Sequence, residues 1–513
     1  MTIADMRVAP RPEARWRGFG LRPRLLLLVF VACLSLEVCP AQPVAERAAE
    51  LELRGQFKEA AALLQAALAD PSLEASNRHV LRFELDRLDR IRKDFPYTAE
   101  ELFDALKKSV KDLTREEYDR WVAEGRFDSR VIDGERRFMT SSVSNLFWRY
   151  PELNPRRMPP KDTRALEKAR WEHCVAIRQA AVAEKKPYVL PKRFRMTMKV
   201  TAKPGAAPAG EMVRAWLPIP REYPFQTDFT LITSTPRAIQ VAPADSPIRS
   251  VFLEQPARKN QATVFEVVYD YTTYGVWFQV DPALVKPCDR EDPVFETYTR
   301  EAPHVVFTPE IRALSETIAG SETNGFLKAK MFHDWIAENI QYSYAIEYST
   351  IRNISDYCRA RRYGDCGQEA LLFITLCRLN GIPARWQSGW NTFPGAKSIH
   401  DWAEIYLPPY GWMPVDPYMG IFAMRYATSL SPDQRRDIRD FYFGGLDAYR
   451  MAANSDHNQD LTPPKRSLRS DNVDFQRGEL EWGDQNIYFD QYSYSLTVKE
   501  VPLKNPARLR PAP

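Results

Sequence analysis

Three side chains of the types that perform nucleophilic catalysis, Cys366, His400 and Asp416, fall within one short stretch of the chain. The gaps are 34 residues from the cysteine to the histidine and 16 from the histidine to the aspartate. A thiol becomes a strong nucleophile when an imidazole takes its proton, and a carboxylate can orient that imidazole. The three residues therefore predict a Cys–His–Asp triad that transfers amide acyl groups through a thioester.

Cys366 is expected at the start of a buried helix. Residues 364–368 lead into an almost wholly apolar segment, 369–379, which Asn380, Gly381 and Pro383 bring to an end. Unpaired N–H groups and the helix dipole favour negative charge at a helix N-terminus. We therefore expect a lowered thiol pKa and an oxyanion donor at the Cys366 N–H.

His400 begins a segment that alternates in polarity through residue 407, which predicts a strand, and residues 412–416 are expected to form the return strand. A symmetric loop, 408–411, would turn Asp416 away from His400. A three-residue loop with Gly411 in a left-handed conformation would pair Leu407 with Gly411. Asp416 would then be a diagonal neighbour of His400 on the same face, and we predict this second register.

Each member of the predicted triad has a distinct role. Cys366 attacks the carbonyl, His400 exchanges the proton and Asp416 orients the ring. Tyr342 or Gln341 is a candidate second oxyanion donor. The alternatives are a core cysteine, a structural histidine and a strand-end carboxylate.

Four short segments together resemble the transglutaminase-like superfamily, and the resemblance covers about residues 326–426: Gly364-Asp365-Cys366-Gly367, Gly381-Ile382-Pro383-Ala384-Arg385, His400-x-Trp402-x-Glu404 and Val415-Asp416-Pro417. Papain itself would place its histidine about 130–150 residues after the cysteine. The resemblance implies a papain-like α+β core, amide acyl transfer, and no cofactor or metal. Many bacterial members are regarded as hydrolases, and crosslinking is not implied.

The whole chain is expected to be an α+β protein of several domains. Strand patterning begins at Phe194, and the β-sandwich that often precedes this core is expected before it. The predicted divisions are a signal peptide at 1–41, a helical region at 42–185, a β-sandwich domain at 190–288, the catalytic core at 289–440 and a C-terminal extension at 441–513 that ends in a strand. Asp447 and Arg450 in that extension are candidates to reach the cleft.

The first 41 residues indicate export. Six arginines precede Leu25, and the uncharged run from Leu25 to Leu36 has twelve residues, too few for a membrane span and typical of a signal peptide. Cleavage is expected after Ala41, which places the chain in the periplasm or outside the cell without a stable membrane span. A lipid anchor on Cys33 and a buried amphipathic helix are the alternatives.

The charge and the cysteine content bear on possible ligands and on the state of the thiols. The net charge is +4, and removal of residues 1–41 leaves 65 basic and 64 acidic residues, so no basic excess favours nucleic acid. Five cysteines remain after cleavage, an odd number that leaves at least one thiol free in an oxidising compartment. Cys358 and Cys288 are candidates for a disulfide. The chain has no CxxC or HExxH motif, and no metal site is predicted.

We therefore expect an exported cysteine protease or amidase that acts on a protein or peptide. A transglutaminase with an amine acceptor, and a catalytically silent binding or scaffold protein, are the rival hypotheses. The sequence predicts neither the substrate nor the oligomeric state.

Overall fold

The computed structural model describes residues 41–504. It combines helices with antiparallel sheets, which confirms the α+β class and the helical N-terminal region. The predicted signal peptide and the lipid-anchor alternative at Cys33 lie outside the described residues, except for Ala41. Within residues 41–504, no helix is both long enough and apolar enough to cross a bilayer.

Among the described residues, seven α-helices, one 3-10 helix (Pro151–Arg156) and one hairpin form the N-terminal region. The helices are α1 (Ala41–Leu53), α2 (Phe57–Leu68), α3 (Ala75–Asp94), α4 (Ala99–Lys107), α5 (Arg115–Ala123), α6 (Ser142–Arg149) and α7 (Arg164–Glu184), and the hairpin is β1 (Ser129–Ile132) with β2 (Glu135–Phe138). Phe57, Ala60 and Leu64 recur at helical spacing and are fully buried. Thr98 and Glu101 form a capping box that begins α4.

Six strands follow: β3 (Tyr188–Ala202), β4 (Met212–Pro218), β5 (Gln226–Thr235), β6 (Gln240–Val241), β7 (Ser250–Pro256) and β8 (Thr263–Trp277). The predicted alternation in β3 is present, since Phe194, Met196, Met198 and Val200 are buried.

The central part of the chain contains α8 (Pro293–Tyr298), α9 (Pro309–Ala319), α10 (Gly325–Asn339), β9 (Gln341–Tyr342), α11 (Ile354–Arg361), β10 (Tyr363–Gly364), α12 (Cys366–Leu379), β11 (Ala384–Asn391), β12 (Ser398–Leu407), β13 (Gly411–Val415), α13 (Pro417–Ile421) and α14 (Pro432–Phe441). The last strands are β14 (Gly445–Leu446), β15 (Arg450–Ser455), β16 (Glu479–Trp482), β17 (Gln485–Ile487) and β18 (Tyr492–Val501).

The strands after residue 444 complete three sheets. One five-stranded sheet has the order β14-β8-β3-β18, with β5 also paired to β8, and the other has the order β17-β16-β4-β7-β6. These two sheets bury one shared apolar cluster between them. β15 joins the third sheet, β13-β12-β11-β15. The terminal strand, whose partner the sequence does not indicate, pairs with β3. The five predicted divisions of the chain stay a prediction.

Candidate active site

Cys366 is the first residue of α12, as the sequence predicts. The Asp365 side chain accepts a hydrogen bond from the Gln368 N–H at 3.2 Å, and the Gln368 side chain completes a capping box. Residues 366–378 of the helix are all buried. The apolar helix is therefore held against the four-stranded sheet with the thiol at its N-terminal end.

The hairpin of β12 and β13 has the predicted register. Leu407 pairs with Gly411 and Ala403 pairs with Val415. Gly411 has a φ of +77°, the left-handed conformation that the short loop requires. The alternative with a symmetric four-residue loop is wrong, because it would have paired Leu407 with Trp412.

This register brings His400 and Asp416 together. The His400 Nε2 lies 2.7 Å from Asp416 Oδ2. Asp416 also caps α13, where its Oδ1 accepts from the Met419 N–H at 3.1 Å. With Nε2 occupied, Nδ1 is the ring nitrogen that remains for a reacting partner, and it has no hydrogen bond to any residue within 41–504.

A cavity of about 390 Å³ contains both Cys366 and His400. Asp416 is fully buried behind the histidine and does not line this cavity. Tyr342, one candidate oxyanion donor, lines the cavity and its hydroxyl has no hydrogen-bond partner among the described residues. The other candidate, Gln341, does not line it and donates to the Arg149 carbonyl at 3.4 Å.

The Cys366 thiol contacts a carboxyl group that the sequence analysis did not single out. Its Sγ lies 3.5 Å from Asp401 Oδ2, and the residue is 9% exposed. Within residues 41–504 no hydrogen bond joins Sγ to the His400 ring. Strand alternation could have identified Asp401, because it shares with Ala403 and Ile405 the face of β12 that packs against α12.

The expected lowering of the thiol pKa is wrong for this structure. Burial, followed by the Asp401 and Asp365 carboxyl groups, raises the pKa of Cys366 well above its usual value. Burial also lowers the pKa of His400, although Asp416 opposes this effect. Burial and the two carboxyl groups therefore outweigh the effect of the helix N-terminus on the thiol pKa. In the resting protein Cys366 is a neutral thiol and His400 a neutral imidazole.

Asp416 is held ionised by its partners. Burial alone would raise its pKa, but the His400 ring and the Arg450 guanidinium outweigh burial and lower it. Arg450 Nη2 lies 2.8 Å from Asp416 Oδ2, and Arg450 Nε lies 2.9 Å from Asp447 Oδ2. Asp447 and Arg450, the two candidates from the C-terminal extension, therefore approach the site. They lie behind Asp416 and do not line the cavity.

The N-terminal helices supply part of the cavity wall. Ser141 and Trp148 line it together with residues 344–348. Asn145 holds that loop through both backbone groups of Tyr344, donating to its carbonyl at 3.1 Å and accepting from its N–H at 2.8 Å. Asp94 accepts from the Glu347 N–H at 3.0 Å. No pattern in the sequence indicated these contacts.

The described residues, 41–504, form no disulfide and no cluster of potential metal ligands. All five described cysteines are free, so the candidate disulfide between Cys358 and Cys288 is wrong. No group of three or more His, Cys, Asp or Glu side chains in this part of the chain could hold a metal ion.

Comparison with known proteins gives a family for the central part of the chain. Residues 312–417 match the Transglutaminase-like superfamily. An uncharacterized protein of Haemophilus influenzae is 23% identical over 233 residues, which are 40% of this chain and 63% of that protein. The uncharacterized protein YebA of Bacillus subtilis is 29% identical over 129 residues, which are 21% of this chain and 17% of that protein. The chain thus spans less than two thirds of either relative.

Two solved structures are also similar. A "Putative Cysteine Protease" from Cytophaga hutchinsonii is 15% identical with a TM-score of 0.38, covering 62% of this chain and 93% of that one. The periplasmic domain of TgpA from Pseudomonas aeruginosa is 16% identical with a TM-score of 0.25, covering 53% of this chain and 96% of that one.

Proposed function

We propose, from the premise that residues 312–417 form a domain of the transglutaminase-like superfamily, that this chain is an exported cysteine hydrolase of peptide or amide bonds. One observation carries the proposal. Cys366, at the N-terminus of a buried helix, shares a cavity with His400, whose ring is bonded to Asp416 at 2.7 Å. A thiol, an imidazole and an orienting carboxylate are the groups that acyl transfer requires.

The reaction begins when His400 Nδ1 takes the proton from the Cys366 thiol. The sulfur attacks the amide carbonyl, and the tetrahedral intermediate collapses to a thioester as the imidazolium protonates the leaving amine. Water then attacks the thioester with His400 as general base, and the thiol leaves. Asp416 keeps Nε2 protonated and stabilises the imidazolium throughout, without taking a proton itself.

The oxyanion of each tetrahedral intermediate needs donors fixed before the reaction. The Cys366 N–H, at the first turn of α12, is one of the helix N–H groups without an intrahelical partner. The Tyr342 hydroxyl is the second proposed donor, because it lines the same cavity. Burial and Cys366 raise the Tyr342 pKa well above its usual value, which keeps the hydroxyl protonated as a donor requires.

Export rests on the sequence of residues 1–41, and it determines the expected acceptor. Outside the cytoplasm, water is the abundant nucleophile, so hydrolysis is the first choice. Transamidation would use the same thioester with an amine as acceptor, and the carboxyl groups of Asp365, Asp401, Asp471 and Asp474 in the cavity wall would attract such an amine.

A glutamine-containing peptide incubated with a labelled primary amine separates the two reactions. Hydrolysis predicts release of ammonia or peptide fragments with little label incorporation, and incorporation well above hydrolysis would replace our proposal with transamidation. The matched variant Cys366→Ser retains the size of the side chain and is expected to lose at least about 10³-fold in kcat. Turnover that is equal in the variant would refute Cys366 as the nucleophile, and no turnover in either protein would leave the scaffold hypothesis.

A further inference from the structure

Asp401 meets the candidate nucleophile from the side of β12 that faces α12. Its Oδ2 lies 3.5 Å from Cys366 Sγ and also 3.5 Å from the Tyr348 hydroxyl. Its Oδ1 accepts a 2.6 Å hydrogen bond from Gln476 Nε2, and the same amide donates to the His400 carbonyl at 3.1 Å. Asp401 is only 3% exposed, so its position is fixed by the fold.

The groups around Asp401 are mostly acidic. Asp365 approaches from the start of α12 and accepts from the Tyr348 hydroxyl at 2.6 Å. Asp471 and Asp474 approach from the C-terminal extension, as does Arg477, which lines the cavity and pairs with Glu347 at 2.7 Å. Within residues 41–504, no salt bridge from a lysine, arginine or histidine reaches Asp401.

A carboxylate and a thiolate at this separation cannot both be ionised at low cost, because both residues are largely buried and no salt bridge within residues 41–504 compensates either charge. One proton is therefore retained between the two groups. The pKa directions agree with this picture, since burial, Asp474 and Asp365 raise the pKa of Asp401, and burial and Asp401 raise that of Cys366. The thiol can give up its proton when the carboxylate is neutralised.

We propose that Asp401 controls the protonation of the nucleophile, and that it keeps the proton on Cys366 until a cationic group of the substrate pairs with it. The inference rests on the proposed function and adds a substrate class: peptides or amides that carry an ammonium or guanidinium group beside the scissile carbonyl.

The proposed step is a proton transfer without a change in oxidation state. In the resting protein the S–H donates to the Asp401 carboxylate. When the substrate cation pairs with that carboxylate, the S–H turns to His400 Nδ1 and the proton moves to the ring. The sulfur retains the electron pair of the S–H bond and uses it to attack the carbonyl.

Alkylation of Cys366 in the full chain tests the contact without any turnover. Iodoacetamide rates are measured from pH 5 to 9 by mass spectrometry of the peptide that contains Cys366, with the partly exposed Cys288 as internal reference. Asp401→Asn has nearly the same shape without the charge, and it is expected to react at least about tenfold faster at pH 7. Asp474→Asn removes a carboxyl group that raises the pKa of Asp401 and does not contact the sulfur. Asp401 is then ionised more readily and still holds the thiol proton, so no comparable acceleration is expected. An unchanged or slower rate in Asp401→Asn, or an equal gain in Asp474→Asn, would overturn the proposal.

A measurement on the unmodified protein keeps the proposal testable if Asp401→Asn does not fold. Methanethiosulfonate reagents with a trimethylammonium or a sulfonate group differ mainly in charge. We expect the cationic reagent to modify Cys366 at least about tenfold faster than the anionic one at pH 8, and this preference should shrink in acid as Asp401 is protonated. An equal rate for both reagents at every pH would refute the proposal.

Failure of this inference and failure of the proposed function are distinguishable. If Asp401→Asn accelerates alkylation but no peptide or amide is hydrolysed, the contact is supported and the hydrolase is refuted. If hydrolysis depends on Cys366 but neutral and cationic peptides are cleaved equally and alkylation is unchanged in Asp401→Asn, the hydrolase stands and the role of Asp401 is refuted.

Discussion

At the scale of single residues, the ionisation of Asp416 depends on a guanidinium that comes from the C-terminal part of the chain. Arg450 is fully buried, and it bridges the Asp416 and Asp447 carboxylates. Asp447 is held in turn by the Tyr442 hydroxyl at 2.9 Å. A buried cation between two carboxylates keeps both of them charged, and an ionised Asp416 keeps His400 in the tautomer that the proposed reaction needs.

Arg450→Gln should therefore weaken the proposed hydrolysis through Asp416. Without the guanidinium, the pKa of Asp416 rises, so protonation of this carboxylate begins at higher pH. We expect kcat/KM at pH 7 to fall about tenfold, and the acid limb of its pH profile to move to higher pH.

Two variants separate this effect from a loss of structure. Arg450→Lys keeps the charge and should restore part of the rate and of the acid limb. Tyr442→Phe removes only the hydroxyl bond to Asp447 and should change the profile less. An acid limb at the same pH in Arg450→Gln would contradict the role of Arg450.

At the scale of secondary-structure elements, the seam between β11 and β15 attaches the C-terminal part of the chain to the catalytic sheet. Gly389 lies at this seam, where the register of the two strands shifts. A Cβ at Gly389 would lie 1.8 Å from the Met451 carbonyl oxygen, which belongs to the backbone and cannot rotate away. The absence of a side chain at residue 389 is what allows β15 to pair here.

Gly389→Ala is therefore expected to separate β15 from β11 and to displace Arg450 from Asp416. We expect the free energy of unfolding to fall by at least about 3 kcal/mol, measured by urea denaturation. Gly395→Ala is the control, since its Cβ would meet no atom within 4 Å and only its φ of +78° is strained. A cost of about 1 kcal/mol is expected there. Equal losses in the two variants would contradict the steric argument.

At the scale of the whole molecule, the N-terminal helices are part of the cavity and not a separate arm. Arg90 is fully buried and donates to the Ser349 hydroxyl at 2.8 Å, and Arg149 donates to the Ser343 hydroxyl at 3.0 Å. Together with Asn145 and Asp94, these side chains bind both ends and the middle of residues 343–349. The helical region therefore fixes the shape of the cavity wall that residues 344–348 form.

Asn145→Ala should make residues 343–349, which include that wall, less well ordered. It removes both bonds to the Tyr344 backbone and leaves a partly buried N–H and C=O without a protein partner, a cost of about 1–3 kcal/mol. We expect KM for peptides to rise about fivefold or more with a smaller change in kcat, measured by steady-state kinetics. Asn145→Asp can still accept from the Tyr344 N–H, so its KM should lie between those of the original protein and Asn145→Ala. An unchanged KM in Asn145→Ala would contradict the role of Asn145 in shaping the cavity wall.

The burial of Asp94 beside the Glu347 carboxylate should make stability depend on pH. Burial and the nearby Glu347 raise the pKa of Asp94 to about 8, above its unfolded value of about 4. Such a group favours folding below its unfolded pKa, and that contribution is lost as pH rises through about 8. Asp94→Asn is expected to match the original protein in Tm at pH 4 and to exceed it by at least about 2 °C at pH 9.

Calorimetry or circular dichroism at the two pH values checks this expectation. Asp104→Asn, which changes an exposed carboxylate on the neighbouring helix α4, should give the same difference in Tm at both pH values. A lower Tm for Asp94→Asn at pH 9 would show that the carboxylate stabilises the loop in its ionised form.

The sequence by itself determined the parts of the site that depend on local rules. The apolar run after Cys366 and the cap at Asp365 specify where α12 begins. The alternation after His400 and the left-handed Gly411 specify the hairpin register, and with it the contact between His400 and Asp416. These features were predictable because neighbours along one helix or one hairpin have fixed spacings.

Only the tertiary structure decided the charge state of the site and the identity of its walls. Asp401 meets Cys366 across 35 residues of sequence, Arg450 meets Asp416 across 34, and Asn145 meets Tyr344 across 199. A pKa depends on burial and on charges brought together in space, so the favourable helix N-terminus could not reveal that burial and two carboxyl groups outweigh it. Periodicity specifies which face a residue occupies within its element, but not which distant element packs against that face.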